Sequence, residues 1–331
     1  MRAKFSALLL PAIFVLLTSA QLFPDPATYV LKDKFVGRDF LNGFNWETFD
    51  DPTHGRVNYV DKNTALQRGL TSASDTKFFM RADNKTMVAP GARGRDSVRI
   101  TSYQAYGDGI YILDLSHMPE GCSTWPAWWS TSQQGPWPQG GEIDIIEGVN
   151  IGATNLASLH TTPGCSMPPY RLQAGTAVSA SCDTSVNSNQ GCGTSLRYGT
   201  YGTSFNVAGG GYFAMRRARD HGISVWYIKR DPFLLPDGPD PDFLISRIPD
   251  ASFPTGNNCN YQDHFNDHNV IFDLTFCGDW AGSVWGTSSC ANAAPTCTAF
   301  VDNNPSAFSN AYWEINSLKI YTPVGPPLIT P

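Results

Sequence analysis

Along this chain apolar and polar residues alternate in short runs, and no long segment repeats at the helical period. Strand-like runs recur at Arg56–Val60, Phe78–Arg81, Ser97–Thr101, Gly109–Leu115, Ala127–Ser130 and Glu142–Glu147. Others follow at Leu156–His160, Tyr212–Arg217, Ile223–Arg230, Val270–Phe276 and Tyr312–Tyr321. In the stretch from Gly222 to Lys229, Ile223, Val225 and Tyr227 share one face, because side chains alternate along a strand. Asp220-His221-Gly222 reads as the hairpin turn that precedes it. The segment from Cys165 to Gly211 is polar and without period, and is expected to form long loops tied down by Cys165, Cys182 and Cys192. Asp231–Phe243 is expected to be another loop. Many short strands with long loops predict an all-β fold of two packed antiparallel sheets, a β-sandwich. No repeat and no Ser/Gly linker interrupts residues 21–331, which read as one domain.

One strand breaks the rules of its class. Glu142-Ile143-Asp144-Ile145-Ile146-Glu147 puts three acids among branched apolar residues, although acids are poor strand formers. Glu142 and Asp144 share a face, and Ile143 and Ile145 take the other. Glu147 lies an odd number of residues from Glu142, so on a regular strand it would point backwards. A β-bulge at Ile145-Ile146 would absorb one residue of register and return Glu147 to the face of Glu142 and Asp144. At ~3.3 Å per residue, less the bulge, the outer Cα atoms would lie roughly 13 Å apart, close enough for the two side chains to lean together. The carboxyl separation of a retaining glycosidase is about 5–5.5 Å and that of an inverting one ~6.5–9.5 Å, and the spacing alone permits both. Three neighbouring carboxylates raise one another's pKa, so one Glu can hold a proton as general acid while the other stays ionised as nucleophile. An acidic edge strand or a calcium site is the plainer alternative. Against it, Gly140-Gly141 and Gly148 bracket the strand as if other groups approach closely.

Composition narrows the setting. The basic start Met1-Arg2-Ala3-Lys4, the apolar run Phe5 to Leu17 and the small residues Thr18-Ser19-Ala20 predict a secretory signal peptide over residues 1–20, and a secreted, extracellular protein. No later segment is apolar enough to cross a membrane, and the proline-rich tail is no lipid-anchor signal. The net charge of -6, with no basic run, argues against nucleic acid as a partner. Eight cysteines, all beyond residue 120, predict up to four disulfides of unassigned pairing, since no paired C-x-x-C zinc motif occurs. Asn84-Lys85-Thr86 is the acceptor sequon for N-glycosylation. No metal and no cofactor is expected, because the assigned strands offer no loop of acid ligands.

Just upstream of the acids stand Trp125, Trp128, Trp129 and Trp137. Indole faces stack on the apolar faces of sugar rings. Trp128 and Trp129 adjoin on a strand, so one faces the core and the other a cleft. Trp125 and Trp128 are read as core.

"GEIDIIEGVN" resembles the active-site strand of glycoside hydrolase family 16. Its extra residue is similar to the laminarinase and endo-1,3(4)-β-glucanase branch. "DPTHGRVNYVD", "ILDLSHMPEGCSTWPAWW", "LHTTPGC", "CGDWAG" and "AYWEINSLKIY" extend the resemblance over most of residues 21–331 to secreted fungal members. The resemblance implies a curved β-jelly-roll sandwich with a substrate cleft on its concave face. It implies double displacement with retention, with Glu142 as nucleophile, Asp144 as assisting acid and Glu147 as general acid/base. It matches Trp129 and Trp137 to stacking positions and His160 to the histidine beside the acid/base, although His160 by itself suits a satisfied core histidine equally. Arg99, Asn58 and Trp280 are further candidates for sugar hydroxyls, with Arg99 equally readable as a solvated strand charge. The implied partner is β-glucan and the implied state a monomer. A cell-wall transglycosylase on the same site, a non-catalytic glucan-binding sandwich and a galactan hydrolase are the competing readings. The bulged spacing disfavours the first and the three intact acids the second.

Overall fold

The computed structural model describes residues 28–325, apart from residues 232, 234 and 236. The leader read at residues 1–20 lies outside the described residues. Two eight-stranded sheets carry the fold, with antiparallel pairing throughout. One sheet holds Glu142–Glu147 between Thr124–Thr131 and Thr154–His160. It continues through His268–Phe276, Ile100–Tyr106 and Phe44–Trp46 on one side, and through Cys192–Tyr198 and Thr176–Ala177 on the other. The second sheet is centred on Gly109–His117 and Tyr312–Val324, flanked by Gly211–Ala218 and Phe78–Arg81.

The expected strands are present, most of them longer by a few residues. Gly222 turns the predicted hairpin at φ 76°, where a Cβ would lie 2.2 Å from the Phe253 carbonyl oxygen. Ser97–Thr101 differs: it straddles the break between Arg95–Ser97, which pairs in parallel with Val57–Tyr59, and Ile100–Tyr106. Besides the two-residue strand Thr176–Ala177 and the helical turn Asn187–Asn189, two longer elements sit where loops were expected. Cys192–Tyr198 is a strand, and Gly202–Val207 is a one-and-a-half-turn helix. The strand is rich in Gly, Thr and Ser, so hydropathy does not mark it, and the helix is too short to show a period. A second short helix, Pro241–Ile245, overlaps the end of the loop expected at Asp231–Phe243; Asp240 caps it by accepting from the Phe243 amide. Thr28–Phe35 also went unsignalled, because a bulge between Leu31 and Asp33 breaks its alternation.

The core lies between the sheets. Trp128, Ile143, Ile146 and Phe272 meet Leu113, Phe213, Met215, Trp313 and Ile315, all fully or almost fully buried. Phe272 packs flat on Trp128 at 6.0 Å and edge-on to Trp313 at 5.9 Å. Trp313 also crosses from its own sheet to donate through Nε1 to the Asp273 carbonyl at 2.9 Å, pinning the strand that carries Asp273. All eight cysteines pair, as Cys122–Cys290, Cys165–Cys259, Cys182–Cys192 and Cys277–Cys297.

Phe272→Ala removes the ring at this junction. It is expected to lower unfolding free energy by about 3–5 kcal/mol in urea titrations of the whole chain. A loss under about 1 kcal/mol would show that the two sheets do not depend on this contact.

Candidate active site

The strand Glu142–Glu147 is bulged. Asp144 stands opposite Trp129 and Ile146 opposite Trp128, so Ile145 is the extra residue. Glu142 faces Thr131 and Glu147 faces Ala127. Thr131, Trp129 and Ala127 alternate on one face of their strand, so Glu142, Asp144 and Glu147 share that face. Ile143 and Ile146 pack inwards. The kink frees backbone groups that the ladder would otherwise pair, because regular pairing with Thr154–His160 stops at Asp144. The fully buried Asn155 takes them over. Its Nδ2 donates to the Ile145 carbonyl at 2.8 Å, and its Oδ1 accepts the Glu147 amide at 3.0 Å. Gly148 then lets the chain leave under the Tyr201 ring, where a Cβ would meet ring carbons at 2.6–2.8 Å.

Each outer acid has its own indole. Trp137 Nε1 donates to Glu142 Oε2 at 2.8 Å, with the ring 47% exposed. Trp125 Nε1 donates to Glu147 Oε1 at 2.8 Å. Trp125 was expected in the core. It is half-buried on the cleft face instead, because its strand begins at Thr124 and Trp125 shares parity with Trp129. Trp128 is in the core as expected. Trp280 meets Trp125 edge-on at 5.8 Å, which places it at the Glu147 end.

A fourth carboxyl completes the face. Asp273 stands opposite Ala127, which in turn stands opposite Glu147, so only an alanine separates the two acids across three strands. Asp273 Oδ2 accepts from Trp129 Nε1 at 3.2 Å and pairs with Arg99 at 3.5 Å. Arg99 lies over the rings of Trp129 and Phe49, both at 4.9 Å, and is 8% exposed rather than a solvated charge. Asp273 was not singled out beforehand, although a lone acid inside "VIFDLTF" is the signal that marks it. Asn155 carried no signal, since an Asn near a strand start is ordinary. Asn58 is engaged elsewhere: its amide donates to Asp96 at 2.6 Å, and Asp96 is also held by Arg68. Its neighbour Tyr59 turns towards Asp273, Asp51 and Arg99. His160 stands opposite Glu142, with Nε2 3.4 Å from Asp144 Oδ2.

Burial pushes the Glu142 carboxyl up to about 7, against the pull of the Trp137 donor and the Arg99 charge. Burial also pushes Glu147 up to about 7; Trp125 and His160 oppose this, while Glu142 and Asp273 add to it. Asp144 is raised well above its ordinary value by burial and then by its three acidic neighbours. Asp273 rises to about 7, chiefly through burial. Glu142, Asp144 and His160 each bring a ligand-type atom within 4.8 Å of the others, a spacing that suits a cation.

Two outcomes follow. A carboxyl raised from 4.5 to about 7 stabilises the fold below pH 4.5, and that contribution is lost as pH rises through 7. Glu147→Gln cannot ionise, so its urea midpoint is expected to exceed that of the native chain at pH 8 and to match it near pH 4. Equal midpoints at both pH values would contradict the raised carboxyl. Asn155→Ala is expected to lose about 1–3 kcal/mol of stability and about a hundredfold in turnover. A turnover unchanged in a folded variant would show that the bulge holds without the clamp.

A family model described as an XgeA-like, catalytic GH16 domain matches residues 44–321. A probable glycosidase of Schizosaccharomyces pombe is 42% identical over 89% of this chain and 69% of its own length. A probable endo-1,3(4)-beta-glucanase of Aspergillus niger is 39% identical over 95% of this chain, which spans only 43% of that protein. Among solved structures, the GH16 Laminarinase 16A of Phanerochaete chrysosporium, holding 6-O-glucosyl-laminaritriose in donor and acceptor sites, is 44% identical with a TM-score of 0.83. The match covers 89% of this chain and 99% of that one. An elongating GH family 16 beta-1,3-glucosyltransferase is 37% identical, with a TM-score of 0.80 over 89% and 100% of the two chains. The two packed sheets are thus a β-jelly-roll sandwich, and the chain belongs to glycoside hydrolase family 16 as an XgeA-like catalytic domain.

Proposed function

We propose that this chain is a secreted, monomeric endo-β-glucanase that cleaves β-1,3- or mixed β-1,3/1,4-glucan with retention. The observation that carries the reading is the unequal setting of two glutamates on one face. Glu142 has a cation and an indole donor to favour its charge. Glu147 has an indole donor too, but its neighbour His160 is held towards the neutral form by burial, and Glu142 and Asp273 favour its proton. On this reading Glu142, beside the Arg99 charge, is the ionised group that attacks the anomeric carbon, while Glu147, beside Asp273, holds the proton that the leaving oxygen takes. Glu147, now ionised, then takes a proton from the water that releases the sugar from Glu142. Trp129 and Trp137 offer rings for sugar stacking, and Trp280 and Arg99 border the same face. Four disulfides suit an oxidising compartment. The Asn84 sequon lies in a turn closed by Asp83, with Asn84 half-buried and Lys85 and Thr86 exposed.

The likeness to a glucosyltransferase favours one second reading, in which a sugar hydroxyl replaces the water. Laminarin and mixed-linkage glucan, with product anomers followed by proton NMR and chain lengths by mass spectrometry, separate the possibilities. The expected result is early β-anomer and shorter chains, with Glu142→Ala and Glu147→Ala inactive. Products longer than the substrate would establish transfer. Early α-anomer would remove Glu142 as nucleophile.

A further inference from the structure

His160 is held from its far side by an unusual turn. Residues Asn187, Ser188 and Asn189 all adopt the left-handed region, at φ 51°, 54° and 60°. Three such residues in succession, none of them glycine, are uncommon, and such backbone persists where its surroundings enforce it. The surroundings are a ten-residue loop closed by Cys182–Cys192 and joined to the His160 strand by the Thr184 amide, which donates to the Thr161 carbonyl. The turn delivers Asn189 Oδ1 to His160 Nδ1 at 2.9 Å. Gly191, at φ 66°, closes the loop under the imidazole. A Cβ there would lie 2.7 Å from Cε1 and 2.8 Å from Nε2, so any side chain would push the ring away.

The other ring nitrogen faces Asp144 Oδ2, a buried atom with no hydrogen-bond partner in this state. The 3.4 Å separation is of the loose kind that tightens when substrate closes a site. Two arrangements are chemically consistent. In one, Nδ1–H donates to Asn189 and the Nε2 lone pair accepts a hydrogen bond from the O–H of a neutral Asp144. In the other, the Asn189 amide is turned over, Nε2–H donates to an ionised Asp144, and Nδ1 accepts. The charged groups that face this pair decide between them. They are Glu142 and Glu147 on the strand of Asp144, Asp273 two strands away, and Arg99, whose charge is taken up by Asp273 and Glu142. The second arrangement adds an anion to a row that already holds three carboxyls. Burial, which lowers the His160 pKa, also disfavours an imidazolium that would neutralise it.

We propose that Asn189 is a positioning residue that fixes the Nδ1–H tautomer of His160, so that Nε2 accepts a hydrogen bond from Asp144, which keeps its proton. The row Glu142, Asp144, Glu147 is then kept at one negative charge, on Glu142. Glu147 keeps the proton that the leaving group needs. This role rests on the glucanase reading of the row, but the tautomer does not.

The test is nitrogen-15 NMR of the histidine ring in the whole chain without glucan, with the pH profile of laminarin hydrolysis beside it. The expected native signal has Nδ1 protonated and Nε2 bare. In Asn189→Ala the two tautomers should mix, with kcat falling about tenfold and KM unchanged. Asn189→Asp keeps a side chain that tolerates the left-handed turn. Its carboxylate should draw the Asp144 proton onto Nε2, giving an imidazolium signal. The new Asp144 anion should move both limbs of the kcat/KM profile up by about one pH unit. A native Nε2–H signal would overturn the proposal, as would ring signals and pH limbs that neither variant moves. An Nδ1–H signal in a chain that turns over no glucan would sustain the tautomer and overturn the glucanase reading alone.

Discussion

One inserted residue, Ile145, organises the cleft. Without the bulge at Ile145, Glu147 would fall on the core face with Trp128, where an unpaired carboxyl is costly. With it, three acids share a face and the isoleucines keep the core closed. A bulge leaves unpaired backbone, and wandering carbonyls there would shift the three carboxyls above them. Asn155 removes that freedom from below with one amide that answers both a carbonyl and an N–H. The functional face therefore depends on a buried hydrogen-bond clamp as much as on the acids themselves.

Around that face the charges are graded. Arg99 and Trp137 lie towards Glu142, and Asp273 and Trp125 towards Glu147. Each indole does two jobs, since the same ring that bounds the cleft donates to a carboxyl. Asp273 links the gradient to the scaffold, because its side chain holds Trp129 and its carbonyl holds Trp313 from the opposite sheet. A shift at the core junction would thus move a cleft ring and a titrating group together.

Much of this was readable in the sequence where one residue type admits one explanation. Acids in a strand of isoleucines, five residues apart, demand either a bulge or a wasted charge, and the bulge is there. The class of fold followed from turn-rich alternation. What escaped was set by parity and by distant partners. Starting the tryptophan strand at Ala127 hid that Trp125 faces the cleft with Trp129, and the true start at Thr124 reveals it. Asn58 drew notice by its neighbourhood, yet its strand turns Tyr59 inwards and Asn58 to Asp96. Asn155, Asn189 and Asp273 act through residues remote in sequence, and no local pattern encodes such pairings. The strand at Cys192–Tyr198 was hidden because its polar residues are covered by tertiary neighbours rather than by hydropathy.

The disulfides show how the rest is divided. Regular sheet positions the acids, because a site on strands is held more tightly than one on loops. Trp280 and Asn189 reach the site from segments outside the sheets, and three of the four disulfides fasten those segments. Cys277–Cys297 and Cys122–Cys290 fix the segment that brings Trp280 against Trp125. Cys182–Cys192 fixes the turn that brings Asn189 to His160. Loops without regular hydrogen bonding open readily. Opening either one would withdraw a tuning group while the carboxyls stayed in place, leaving a cleft with the right residues and the wrong protons. The cross-links therefore guard protonation more than architecture, which the packed aromatic junction at Phe272 already secures.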